Sequence, residues 1–139
     1  MQLHEDDAWK RVRTARHGVL GTVHPQRGID LVPVVYAVTP DRRILIPVDT
    51  VKSKSTARLR RLVNIEFDPR CTLLVEHFDD DWSELWWVRI HGLAEIVDEP
   101  DLDDLSSLLG TKYPQYGAAG SVVGGISVIP SEVTTWAAS

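Results

Sequence analysis

The chain has 139 residues and a mass of 15.6 kDa, which suits one domain around one core, and its 43% apolar and 25% charged residues exclude wholesale disorder. One cysteine, Cys71, excludes an intrachain disulfide and any multi-cysteine metal centre, while a net charge of −5 argues against a general nucleic-acid binder. No apolar run reaches transmembrane length and the acidic start Glu5-Asp6-Asp7 is unlike a signal peptide, so no membrane partner is expected and the cytoplasm is the expected location.

Asp6 or Asp7 is placed to cap a first helix, with Trp9, Val12 and Ala15 at helical spacing, Lys10, Arg11 and Arg13 facing water, and Gly18 ending it. Val19-Leu20-Gly21-Thr22-Val23 reads as a strand and Pro25-Gln26-Arg27-Gly28 as a turn. A second strand is expected over 31–38 and a third over 44–48. Pro47 lacks an N–H, so the end of that strand should be an edge, a bulge or the mouth of a site.

From Ser53 or Ser55 the pattern becomes helical, with Leu59, Leu62 and Val63 as the buried stripe and Asp68-Pro69 as the stop. Strands follow over 71–78 and 86–97, the latter bulged at Gly92. A short acidic helix then buries Leu102, Leu105, Leu108 and Leu109, and a final strand covers 126–129, with an extension through Val133 to Trp136. About six strands with short turns, and without regular βαβ alternation, predict a mainly β, antiparallel barrel over residues 1–139 as a single domain.

Two clusters carry candidate chemistry. Lys52, Lys54, Arg58, Arg60 and Arg61 place five of the fifteen basic residues within ten positions. If one helix starts near Lys54, then Lys54, Arg58 and Arg61 form one charged stripe, and its N-terminus with Ser53 and Ser55 makes an anion site; a solvated basic face is the plain alternative. The second cluster is Trp82, Trp86 and Trp87. Neighbouring strand residues face opposite ways, so one of Trp86 and Trp87 points away from its own core, to a planar ligand or a subunit interface.

The remaining candidates are weaker. His4, His17, His24, His77 and His91 lack paired metal-ligand spacing and read as structural or exposed, so no metal is expected. Asp79-Asp80-Asp81 reads as a solvated turn, Cys71 as a small apolar strand residue, and Gly117, Gly120 and Gly124 do not frame a dinucleotide fingerprint.

The motifs His17-Gly18-Val19-Leu20-Gly21-Thr22-Val23, Pro33-Val34-Val35-Tyr36, Lys52-Ser53-Lys54-Ser55, Asp68-Pro69-Arg70 and Trp87-Val88-Arg89-Ile90-His91-Gly92, in this order, resemble the flavin/deazaflavin oxidoreductases of the pyridoxamine 5′-phosphate oxidase-like split β-barrel superfamily. The stretch over 79–89 resembles an actinobacterial subgroup that uses coenzyme F-420. The resemblance implies an FMN-binding split barrel, a homodimer with cofactor clefts between subunits, and hydride transfer from reduced F-420 to a small conjugated organic substrate. By the same resemblance, Lys52 and Lys54 match the basic pair that grips the cofactor phosphate and Arg58 falls on the following helix turn; the anion-site reading adds Ser53 and Ser55 as cofactor contacts. Pro33, Val34, Val48, Asp49 and Thr50 line the ring system, and Trp82 with Trp86 or Trp87 covers the cleft from the partner subunit, Trp87 being the pick for the cofactor-facing ring. Tyr36 and water are the candidate proton donors, with neither singled out. An FMN-binding pyridoxamine-phosphate-oxidase-like enzyme and a non-catalytic carrier of a planar ligand are the rival readings.

Overall fold

In the computed structural model, residues 1–49, 59–97, 102–116 and 122–139 are described. Helix α1 (Glu5–Thr14) leads into strands β1 (Gly18–His24), β2 (Gly28–Val34), β3 (Ala37–Val38) and β4 (Ile44–Asp49). Then come helix α2 (Arg60–Phe67), β5 (Arg70–His77), β6 (Trp86–Val97), α3 (Leu102–Lys112) and β7 (Val122–Ala137). All strands join one antiparallel sheet in the order β2-β1-β5-β6-β7-β4-β3. The mainly β, antiparallel reading therefore holds. The count is seven rather than about six because the strand expected over 31–38 breaks between Val34 and Ala37.

Alternation builds the core. Cys71, Leu73 and Val75 of β5 and Val88, Ile90 and Ala94 of β6 point inward, meeting Leu20 of β1, Ile44 and Ile46 of β4, and Ile126 and Val128 of β7. Ala8, Trp9 and Val12 of α1 close this core. A smaller cluster of Ala37, Leu45, Leu105, Leu109, Tyr113 and Val122 lies under α3. Cys71 packs as an apolar residue, and burial pushes its thiol up to about 11.

Several boundaries differ from expectation for local reasons. His4 is the N-cap of α1 and makes no side-chain cap bond; Glu5, Asp6 and Asp7 occupy the first turn, where the helix dipole favours acids. The helix ends at Thr14, and Gly18 instead opens β1, where a Cβ would sit 3.0 Å from Leu73 Cδ1 and from the Leu74 carbonyl. Arg13 does not face water: its guanidinium donates to the Val38 and Thr39 carbonyls at 3.2 and 3.0 Å, tying α1 to β3. Leu59 has extended backbone (φ −57, ψ 138), so the helix carrying Arg61 starts at Arg60 and does not reach back to Ser53 or Ser55. Its buried residues are Asn64 and Ile65, with Leu62 partly buried. Lys54 and Arg58 of the expected stripe lie outside the described residues.

The bulge at Gly92 is present as a register shift between His91 and Gly92. Its cause is steric, because a Cβ on Gly92 would lie 2.5 Å from the Ile129 carbonyl oxygen and 2.9 Å from Val128 Cγ1. Among the described residues no helix is long and apolar enough to cross a membrane. Replacing Gly92 by Ala forces backbone to move and should lower stability by about 1–3 kcal/mol. Urea denaturation measures this, and an unchanged midpoint would show that the β6–β7 pair yields freely.

Candidate functional site

The break in the second strand creates a cavity. Gly18 pairs with Val34, and beyond that pair the chain turns inward at Tyr36, which is fully buried. The Tyr36 hydroxyl donates to the Val12 carbonyl at 2.5 Å. Burial drives this phenol well above its ordinary range, with Tyr113 nearby adding to the rise. Tyr36 is therefore a structural anchor, buried and with its hydroxyl committed to α1.

On the other side of the break lies a cavity of about 210 Å³, lined by His17, residues 33–35, Ile46, Pro47, Arg61 and Tyr116. Two strand backbones form its apolar floor, and three polar side chains stand around it. Pro47 meets the expectation for its position: it lines the mouth, and the β4–β7 register shifts just beyond it, between Val48 and Asp49.

Each polar side chain is positioned by contacts distant in sequence. Arg61 sits in the first turn of α2, and α2 is fixed on β1 and β2 by Asn64, whose amide donates to Thr22 Oγ1 at 3.0 Å and to Asp30 Oδ2 at 2.9 Å. Asp30 is held below the usual carboxylate range, first by its pair with Arg27 and then by Asn64. His17 follows Arg16, whose guanidinium donates to the Lys112 carbonyl at 3.1 Å and lies 4.6 Å from the centre of the Tyr113 ring. The Tyr113 hydroxyl returns a bond to the Arg16 carbonyl at 2.8 Å. Tyr113 also accepts the Tyr116 N–H in a single 3-10 turn, so one clamp sets both His17 and Tyr116.

The Lys112 ammonium lies 4.0 Å from the centre of the Tyr36 ring and 5.3 Å from that of Tyr113, and its Nζ is buried without a hydrogen-bond partner. Burial, and secondarily Arg16, lowers it to about 8. The facing rings offset part of the desolvation.

Of the residues singled out from sequence, Pro33 and Val34 line the cavity. Val48 is half-buried one position beyond Pro47, and Asp49 ends β4 opposite Val122. Thr50, Lys52, Ser53, Lys54, Ser55 and Arg58 lie outside the described residues. Trp82 is 76% exposed in a 3-10 turn capped by Asp81. Trp86 faces the core, stacked on His77 with the Arg11 guanidinium 5.2 Å from its ring centre, so Trp87 is the one facing outward, beneath Arg89. Neither Trp82 nor Trp87 lines the cavity of its own chain. His17 and Tyr116 were not singled out: His17 read as structural or exposed, and only the Arg16–Tyr113 clamp brings Tyr116 near. Among the described residues no three His, Cys, Asp or Glu side chains cluster as metal ligands.

A broader concavity of about 980 Å³ occupies the outer face of β2, β1, β5 and β6. Ile29 and Leu31 are 61% and 70% exposed there, beside Val19, Val23, Leu74 and Leu93, with Arg70, Arg89 and His91 around them. Ile29, Leu31 and Pro33 alternate along one face of β2, so this apolar surface runs up to the cavity.

Residues 5–138 match the pyridoxamine 5′-phosphate oxidase family. The chain belongs to that family. Its antiparallel sheet and three helices are the split barrel of the family's solved structures. A conserved hypothetical protein of Mycobacterium tuberculosis superposes with a TM-score of 0.80 at 25% identity, over 98% of this chain and 86% of that one. An FAD-binding protein of Mycobacterium smegmatis gives a TM-score of 0.66 at 19% identity, covering 98% and 96% of the two chains. A second, from Mesorhizobium loti, gives 0.70 at 16% identity, covering 97% and 93%. No curated protein matches the sequence.

The Lys112 environment carries a pH prediction. The folded state disfavours the charged ammonium, so the destabilisation is complete below about pH 8 and is relieved as pH rises from there towards the ordinary lysine value of 10.5. Lys112→Met should therefore be more stable than the wild type at pH 7, with an advantage that shrinks steadily up to pH 10. Thermal melts of both proteins across that range test this; a constant difference would mean that Lys112 is not desolvated.

Proposed function

We propose that the chain is an oxidoreductase whose cavity at the β2–β3 break holds the ring of a flavin-type cofactor, specifically deazaflavin coenzyme F-420, and that its substrate is a small conjugated organic molecule. The observation that carries this reading is the convergence at one opening of a flat apolar floor (residues 33–35, Ile46 and Pro47) with Arg61, Tyr116 and His17. A planar heterocycle with an anionic tail needs those two kinds of surface together. When bound, the cofactor supplies the hydride; the protein orients the ring and keeps water from it.

The basic segment fits the same site by its ends. It leaves β4 two residues after Pro47 and re-enters at Leu59, two residues before Arg61, and both Pro47 and Arg61 line the cavity. Lys52 and Lys54, with Ser53, Ser55 and Arg58, are the proposed phosphate contacts, and Val48, Asp49 and Thr50 the strand end beside the ring.

The partner is proposed to be a second copy of this chain. The apolar outer face ends at Pro33, on the border of the cavity, so a copy seated on it brings its own aromatic residues to that border. Trp82 and Trp87, outside their own chain's cavity, are the proposed cover. FMN is the second reading, favoured by the FAD-binding neighbours.

Titration of the purified protein with F-420 and with FMN, followed by fluorescence, tests the cofactor. Tight F-420 binding and weak FMN binding are expected; the reverse supports FMN, and binding of neither sinks the oxidoreductase reading. Replacing Lys52 and Lys54 together by Ala should weaken F-420 binding by at least about tenfold, the scale of losing one charge-assisted hydrogen bond, with the melting temperature unchanged. Leu31→Glu should convert a dimer to a monomer in light scattering, whereas a monomeric wild type would remove the shared-cleft arrangement.

A further inference from the structure

The cavity has a hydride acceptor's chemistry to complete, and this requires a proton. Of its described polar lining groups, Arg61 keeps its proton throughout the accessible pH range. Tyr116 is a phenol, a class that ordinarily titrates near about 10. Tyr36 is buried with its hydroxyl committed to Val12. Imidazole is the side chain whose ordinary titration spans neutral pH, and His17 is the histidine among these lining groups.

His17 also has the right placement. It is exposed, and no described residue makes a hydrogen bond to its ring. Its backbone is fixed on one side by the Arg16 clamp to Lys112 and Tyr113, and on the other by Gly18 in β1, so a free imidazole is carried on a rigid base. Arg16 precedes it in the chain, and Arg61 from α2 lines the same cavity.

We propose that His17 is the catalytic acid of this site, giving up the proton that accompanies reduction of a conjugated substrate. The inference rests on the oxidoreductase reading above. Reduced F-420 is the two-electron reductant. The β-carbon of the substrate gains the hydride with its electron pair, and the C=C π pair moves to the α-carbon and carbonyl oxygen. There it forms a bond to the His17 proton, whose N–H electron pair stays on the imidazole. Water then reprotonates the ring. The substrate gains two electrons and two hydrogens; the proton that reaches it through His17 is balanced by the N–H proton that the dihydro cofactor releases to solvent on oxidation.

The test uses the full-length protein and two readouts. In NMR spectra of the wild type, the imidazole C–H signal that is missing from His17→Gln should shift when oxidised F-420 is added; an unmoved signal at saturation overturns the placement. With the cofactor site saturated, His17→Gln should oxidise reduced F-420 with 2-cyclohexen-1-one about 100-fold more slowly than the wild type. The wild-type rate should fall as pH rises through the imidazole range, while the variant's is flat, and added imidazole should restore part of the rate in His17→Ala. A variant with wild-type rate and pH profile overturns the role. Failure of the wild type to bind F-420 shows up separately, in the titration, and removes the reading and the role together.

Discussion

The hydrogen bond from the buried Tyr36 hydroxyl to the Val12 carbonyl is the constraint on which the site depends. A continuous strand over 31–38 would run straight on past Gly18, where β1 begins. Tyr36 instead turns into the core, where its ring also meets Lys112, and the chain resumes as β3 against β4. The residues before the turn are left as a free apolar backbone facing Ile46 and Pro47. Arg13, donating to the Val38 and Thr39 carbonyls, holds the other end of the same turn. Helix α1 therefore acts as the fixed post against which the strand is broken.

Around that break the molecule combines elements that are far apart in sequence. Asn64 seats α2 and so places Arg61; Arg16 and Tyr113 seat the end of α3 and so place Tyr116 and His17. Asn64 and Tyr113 are buried and Arg16 is exposed, and all three are hydrogen-bonded; of the residues they present, His17 is exposed and Arg61 and Tyr116 are half-buried. This is the arrangement a preformed ligand site needs, since a polar group held by its neighbours loses little freedom on binding. The apolar outer face adds a second surface continuous with the first.

Much of the fold was legible because alternation and turn chemistry are local. The strands over 71–78 and 86–97, the Gly92 bulge, the turn ending at Gly28 and the significance of Pro47 all follow from neighbours a few residues apart. The errors came where tertiary contacts override local pattern. Arg13 looks like a solvated helix residue until β3 supplies its acceptors, and 31–38 looks like one strand until Tyr36 finds Val12. Leu59 fits a helical stripe, yet its extended backbone starts α2 one residue later. The site divides in the same way. Pro33 and Val34 were read from a motif along one strand, but Tyr116 enters through a contact between positions 16 and 113, for which no local signal exists. The expected phosphate contacts, Lys52 and Lys54, are bracketed by the cavity-lining Pro47 and Arg61.

The central claim is that the opening at the β2–β3 break is where the ring lies. A crystal structure of the protein grown with coenzyme F-420 tests it most directly. The account predicts planar density between residues 33–35 and Pro47, within reach of His17 and Tyr116. Density elsewhere, such as in the concavity on the outer face of β2, β1, β5 and β6, with the β2–β3 cavity filled only by water, would contradict it.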